Sequence, residues 1–574
     1  GNYYIDPRKT NEQIFQFVDN LSWFKGDWTF KAGVNYQDIQ MQNRYLPNGN
    51  GGWSVGSFGW ANQWALGAAG AYTSNNVGSG QLRYRQSVSP LDGTLDFGAK
   101  ALAAYVNAQY QGLMDKRLML SLGFRYTRET WDKNPNPNPR LLGTDSFPDA
   151  SSVDPRFGFS FDVFGNAKTV VRGGYGHFTM GNPGQTVSGG VMNNGLNLIS
   201  YDVYATSSTS SSNIPYQNLF KTGVLSYTNR VVNGSLKPLT LAEIQANALI
   251  SGTVVVTPID PDAKMAQARR MSLGVEQELP HGFQVKAMAK YAKFNNMQYA
   301  ININLRQKMY DANGALVDDP NGFYNDGYPT KVNKFGGNTN RPNKAVVRGR
   351  QLDLTGYGDV FLSKYDGEGD YKALILETSR RAEKSVGFNL SLTFAKARDN
   401  NSNEVGTLNN NYSQPFNLAE PTAEWAPSDN DIKFRGVLSV YTAPIYGFRV
   451  SGLLQYQTGR PYTARWNNDS ISTGNFGNGD GNTVNDPAPG YGGRNGMRQP
   501  NARWFDMRIS REFRVGKSLK LEGIVDVYNV FNWANWTTGM TTAASSSGPY
   551  SDFGFLSNAD NRTREVQLTL KARF

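Results

Sequence analysis

The chain has 574 residues, 39% hydrophobic and 18% charged, with 61 glycines and no cysteine. The missing cysteines exclude disulfides, zinc–thiolate sites and thiol catalysis, and no apolar run reaches the roughly 18 residues that a membrane-spanning helix needs. The net charge of +11 does not point to nucleic acid, because lysine and arginine are spread beside 47 acidic residues rather than gathered in a patch; contact with anionic lipid headgroups or sugars is the expected role of that charge.

No linker or composition shift divides residues 1–574, so one architecture is expected throughout. The opening Gly1-Asn2-Tyr3-Tyr4 has neither the basic start nor the apolar core of a signal peptide, so processing or truncation is expected to have removed the true beginning.

From its start the chain alternates apolar and polar residues in stretches of about ten, the length at which a tilted strand crosses a bilayer. In the first clear case Trp28, Phe30, Ala32, Val34 and Tyr36 share one face, while Thr29, Lys31, Gly33 and Asn35 share the other. The pattern returns with Leu118, Leu120, Leu122, Phe124 and Tyr126, and again with Phe157, Phe159, Phe161 and Val163.

Fifteen strands are predicted, at 12–24, 27–39, 100–113, 117–131, 154–164, 167–180, 266–279, 282–294, 370–382, 385–398, 431–443, 447–460, 502–514, 518–531 and 563–574. Short connections such as Lys25-Gly26, Gly165-Asn166 and Pro280-His281 alternate with long ones through 40–99, 181–265, 295–369 and 461–501. That alternation is the signature of an antiparallel transmembrane β-barrel with short periplasmic turns and long extracellular loops, in the outer membrane of a Gram-negative (diderm) bacterium, with outer-membrane lipids and lipopolysaccharide as its expected surroundings. Bacterial single-chain barrels have even strand numbers, so an odd count of fifteen leads us to expect further strands upstream.

Aromatic residues gather near strand ends, as an interfacial girdle requires: Trp23, Trp28, Trp131, Phe164, Tyr446, Tyr462, Trp504, Phe513, Trp533 and Trp536. The inner face is expected to carry Arg125, Arg156, Lys286, Lys290, Arg449, Asp506, Arg508, Glu512, Lys520, Glu522 and Asp526. Such charge either lines water or pairs with a plug, and both are generic for barrels.

Trp53, Phe58, Trp60, Trp64 and Tyr72 crowd the first long loop. Exposed aromatics there suit gripping sugars, peptides or chelator rings, and packing of the loop on itself explains them equally well. Residues 239–250 read as a short helix with Thr240 as cap and Glu243 three residues on.

Asn478, Asp480, Asn482 and Asp486 space oxygen-bearing side chains around glycines, as calcium loops do, but the bidentate glutamate of an EF-hand is missing. An Asn/Gly-rich surface loop is the simpler reading, with structural calcium as the alternative; no other cofactor is expected. The two histidines, His177 and His281, sit in no catalytic motif, so an enzyme is not expected.

The chain resembles the barrel portion of Oar-like TonB-dependent outer-membrane transporters. The resemblance rests on Asp154-Pro-Arg-Phe-Gly-Phe-Ser-Phe-Asp162, Thr169-Val-Val-Arg-Gly-Gly-Tyr-Gly176, Leu273-Gly-Val-Glu-Gln-Glu-Leu-Pro280, Thr458-Gly-Arg-Pro-Tyr462, Asp526-Val-Tyr-Asn-Val-Phe-Asn532 and the closing stretch Val566 to Phe574, in order. It implies a barrel of about 22 strands filled by an N-terminal plug, with the first strand here as the family's eighth.

It further implies a TonB-contacting segment in the region not present here, and an assembly signal formed by Leu568, Leu570 and Phe574 and read by the barrel-assembly machinery. The function implied is TonB-dependent active import of an unidentified ligand, whether siderophore, oligosaccharide or peptide. A passive porin and a surface scaffold or adhesin are the alternatives.

Overall fold

The structure is a computed structural model that describes residues 9–46, 49, 51–55, 82–182, 184–205, 214–233, 235–247, 252–304, 306–310, 316–318, 323, 334–336, 343–382, 386–402, 425–467, 486–487, 490–515, 519–538, 542–545, 548–549, 553–560 and 563–573. Fifteen long strands build one wall: β1 Lys9–Lys25, β2 Trp28–Arg44, β3 Thr94–Leu113, β4 Leu118–Trp131, β5 Ala150–Asp162, β6 Thr169–Thr179, β7 Gln267–Leu279 and β8 Phe283–Asn302. They continue as β9 Tyr357–Arg380, β10 Val386–Asp399, β11 Phe434–Thr442, β12 Phe448–Gln457, β13 Ala502–Val515, β14 Leu519–Tyr528 and β15 Glu565–Arg573.

Each is antiparallel to the next, in strict chain order. Every strand predicted from alternation is therefore present. Among the described residues no ladder joins β1 to β15.

Register brings like residues together across the wall. One row runs Leu122, Phe157, Tyr175, Met271, Tyr291, and the neighbouring row runs Gly123, Arg156, Gly176, Arg270, Ala292, Tyr371. A period of two thus sends the apolar set to one face and the polar set to the other. The apolar face is the exposed one, with Leu122, Phe124, Phe157, Leu273, Leu374, Phe394, Phe513, Leu568 and Leu570 all open. In water such a surface would be costly, whereas against lipid it is the favourable arrangement.

The seven short connections lie at one end of the wall. At the first, Lys25 pairs with Trp28 and Gly26 takes φ 58°, the left-handed conformation that a two-residue hairpin asks of its first central residue. At the third, the Asp162 carboxylate accepts from the amides of Gly165 (3.0 Å) and Ala167 (2.7 Å), tying off the loop locally.

The other end carries the long connections, and here strands overrun the bilayer length. β8 continues past its predicted end through two register irregularities between Phe294 and Tyr299. Gln298, Tyr299, Ala300, Ile301 and Asn302 are all buried there.

These extensions support folded excursions with cores of their own. Leu141, Val256, Ile301, Ile303, Val347, Leu352 and Leu354 form one cluster drawn from four segments distant in sequence. Tyr84, Phe220, Leu225, Leu239 and Ile244 form another. Burial pushes the Tyr84 hydroxyl up to about 12, so it stays protonated.

The helix expected within 239–250 is Leu241–Gln245, closed by a capping box in which Thr240 and Glu243 satisfy each other's backbone amides. Its hydrogen bond from Arg230 holds the Glu243 carboxyl down at about 2.

An Asn-Pro repeat ties the excursions to one another. Proline removes backbone donors, and the asparagine side chains supply the bonds instead: Asn134 donates to Thr144 O (2.7 Å), Asn136 to Asn197 Oδ1 (2.9 Å), and Asn138 to both Asn194 O and the Tyr357 hydroxyl (each 2.7 Å).

Candidate ligand-binding site

Any solute crossing this wall from end to end meets its polar face, so that face is the candidate site. Its composition follows from strand parity: Arg172, Glu276, Lys286 and Glu377 come from four adjacent strands and interleave their charges. Lys286 Nζ lies 3.2 Å from Glu377 and 3.8 Å from Glu276, and Arg172 lies 3.7 Å from Glu276. These four groups line a cavity of about 510 Å³ with Ser379, Asn389, Ser391 and Ser439. Its charges are balanced, so it is a hydrophilic surface with little net field.

Further round the wall Arg508 donates to the Asp526 carboxylate at 2.6 and 2.9 Å, a bidentate pair. Lys520 stands 3.9 Å from Glu512. The inner charges named from sequence therefore include two internally compensated groups.

Toward the long-loop end the polar face becomes apolar and covered. The helix Gly184–Met192 seats Val187, Val191 and Met192 against Ile39, Met41, Phe97, Ala99 and Trp131, which belong to β2, β3 and β4. A Cβ on Gly184 would come 2.8 Å from the tip of Met41, so glycine permits the close seat.

Trp131 was expected in the interfacial girdle. It is instead buried beneath this helix, donating to Glu129 at 2.6 Å, because it shares the parity of Arg125 and so faces inward. Trp504 likewise shares the polar face with Asp506, and its indole N–H is buried without a partner among the described residues. Trp23, Trp28, Phe164, Tyr446, Phe513 and Trp536 are exposed, as a girdle requires.

The excursions lock onto the wall through ion pairs. Asp260 accepts from Arg348 at 3.0 Å and lies 3.2 Å from Lys364, joining the segment after β6 to the one after β8 and to β9. Burial alone would raise its carboxyl, but the Asp262 amide, Arg348 and Lys364 outweigh burial and hold it below the usual range. Arg494 pairs with Asp399 at 2.6 Å, and Arg498 pairs with the buried Asp431.

Of the aromatic residues singled out in the first loop, Trp53 lies in the strand Gly52–Val55, opposite Tyr84. Phe58, Trp60, Trp64 and Tyr72 lie outside the described residues, as do Asn478, Asp480 and Asn482; Asp486 begins a two-residue strand opposite Trp466. Among the described residues no group of three or more His, Asp or Glu side chains could hold a metal ion. Leu568 and Leu570 stand on the outer face of β15, and Phe574 lies outside the described residues.

Sequence reasoning missed Arg270 and Phe178 on the inner face. The signal was available in the alternation of Met271, Leu273 and Val275, which turns Arg270 inward.

The outer membrane beta barrel domain family matches residues 1–567. No curated protein matches the chain. Among solved structures, the outer membrane transporter YddB from Escherichia coli is 11% identical with a TM-score of 0.50, covering 98% of this chain and 54% of its own.

The FrpB iron transporter from Neisseria meningitidis (11% identity, TM-score 0.47) covers 99% and 55%, and BauA, the ferric preacinetobactin receptor from Acinetobacter baumannii (11%, 0.42), also covers 99% and 55%. The chain thus spans about half the length of these structures, and at such identities the likeness is one of fold.

Proposed function

The chain belongs to the outer membrane beta barrel domain family, and from that premise we propose that it forms the barrel wall of a TonB-dependent transporter that imports a scarce solute across the outer membrane. The observation that carries the reading is the helix Gly184–Met192, seated on inward-facing Met41, Phe97 and Trp131. Folded chain stands over this part of the inner face, as suits a gated path better than an open diffusion pore.

In this reading the solute meets the folded excursions first. Its passage then needs the mouth to rearrange, and the energised TonB complex supplies the work. The polar inner face offers water and hydrogen bonds along the way, and the apolar outer face sits in lipid. Leu568 and Leu570 keep the alternation that the barrel-assembly machinery reads in similar proteins.

The test is growth-dependent uptake in the source bacterium. Deleting the TonB system should reduce accumulation of the solute whose uptake depends on this gene to the level of a strain lacking the gene. Uptake that persists unchanged without TonB would sink the reading in favour of a passive pore.

A further inference from the structure

We infer that Arg156, Arg270 and Lys290 form a binding site on the inner face for a small, multiply charged anion bearing carboxylate or phosphate groups. Arg156 comes from β5, Arg270 from β7 and Lys290 from β8, all on the inward parity. Between the two arginines, on β6, stands Phe178. Its ring centroid lies 4.6 Å from the Arg156 guanidinium carbon and 5.2 Å from that of Arg270.

One aromatic ring therefore holds two guanidinium groups from the flanking strands, a cation–π arrangement that orients both planes. Those distances bound their separation at about 10 Å, comparable with the screening length at physiological salt. The two charges feel each other, and an anion in the cavity that both line is attracted to both.

Neither guanidinium nor the Lys290 ammonium forms an ion pair or hydrogen bond among the described residues. The nearest inward carboxylate along β5, Asp154, is buried and already accepts from Ser152 (2.7 Å), the Thr179 hydroxyl (2.8 Å) and the Thr179 amide (3.2 Å). This contrasts with the wall one step away, where Arg172, Glu276, Lys286 and Glu377 cancel one another.

Room for a ligand is built in. Gly174 and Gly176 on β6 leave a trough, and a Cβ on Gly176 would stand 3.0 Å from the Phe178 ring. The resulting cavity, about 560 Å³, is lined by the three cations, Phe178, Ser272 and Tyr371. Free guanidinium forks match carboxylate and phosphate oxygens in pairs, and no acidic side chain lines the cavity.

The site deepens the transport reading by naming a substrate class, but its test does not depend on transport. The full chain as it exists in its membrane is purified in detergent and titrated with trisulfonated hydroxypyrene, followed by anisotropy, with citrate and pyrophosphate as competitors. Arg156→Gln with Arg270→Gln should weaken probe binding by about tenfold and flatten its salt dependence. The Lys/Lys pair should fall between, and Arg128→Gln, on the outward parity of Tyr126, should match the native protein.

If the double glutamine variant does not fold, Lys290→Gln carries the test, with a loss of about threefold expected. Native affinity in the substituted proteins, or no probe binding to the native protein at low salt, overturns the site. TonB-independent uptake would remove the transport reading and leave this binding result standing.

Discussion

Replacing Leu374 by arginine is expected to destabilise the wall by about 2–4 kcal/mol, whereas the same change at Ile375 should cost less than about 1 kcal/mol. The two residues are neighbours on β9 and differ in parity. Leu374 stands in register with Ala289 and Phe394 on the exposed apolar face, while Ile375 is in register with Met288 and Thr393 on the inner face.

A charge on the first must be buried in hydrocarbon or drag the side chain to a headgroup. On the second it finds water and polar neighbours. Urea unfolding in phospholipid vesicles reads the difference directly, and equal costs at the two positions would mean that the apolar face does not meet lipid.

Asp260→Ala is expected to release the folded excursions without unfolding the wall. Asp260 is 2% exposed, and the Lys364 side chain beside it is 10% exposed. Removing the carboxylate strands a buried ammonium, a change that costs about 3–5 kcal/mol when no partner replaces it. Asp366, at 3.6 Å from Lys364, softens the loss toward the lower figure.

The cost falls on local opening, so native-state hydrogen exchange at 256–263 and 343–365 should accelerate while amides of β3 to β6 keep their protection. Acid should act in the same direction. Because this carboxyl sits below its ordinary value when folded, its contribution is present above the ordinary carboxylate range and is lost as pH falls through the folded value. Unchanged exchange in the variant would show that the ion pairs merely decorate the loops.

The wall was legible in the sequence because two solvents read alternate residues. Lipid on one side and polar interior on the other impose a period of two, as in Trp28 to Tyr36 and Leu118 to Tyr126. Where that asymmetry ends, so does legibility. Tyr299, Ala300 and Ile301 are buried together on the overrunning part of β8, so no alternation marks it, and the strand continues eight residues past its predicted end at 294.

The helix Gly184–Met192 was hidden for a different reason. With glycine at 184, 189 and 190 its propensity is poor, and it forms because Val187, Val191 and Met192 find the apolar seat around Trp131. Parity turns Trp131 inward with Arg125, although its place at a strand end suits a girdle. For the basic site, Arg156 and Lys290 were visible as inward charges, but their lack of acidic partners depends on neighbours that only the register supplies.

The absence of cysteine lets single spin labels report which face of β9 meets lipid. Single cysteines placed at 373, 374, 375 and 376, each carrying a nitroxide, would be compared in vesicles for collision with oxygen and with a polar nickel chelate. Oxygen-dominated collision is expected at 374 and 376 and not at 373 and 375, since only the even positions face lipid. Uniform accessibility along the four positions, or the opposite phase, would contradict a membrane-spanning wall with this face turned to the bilayer.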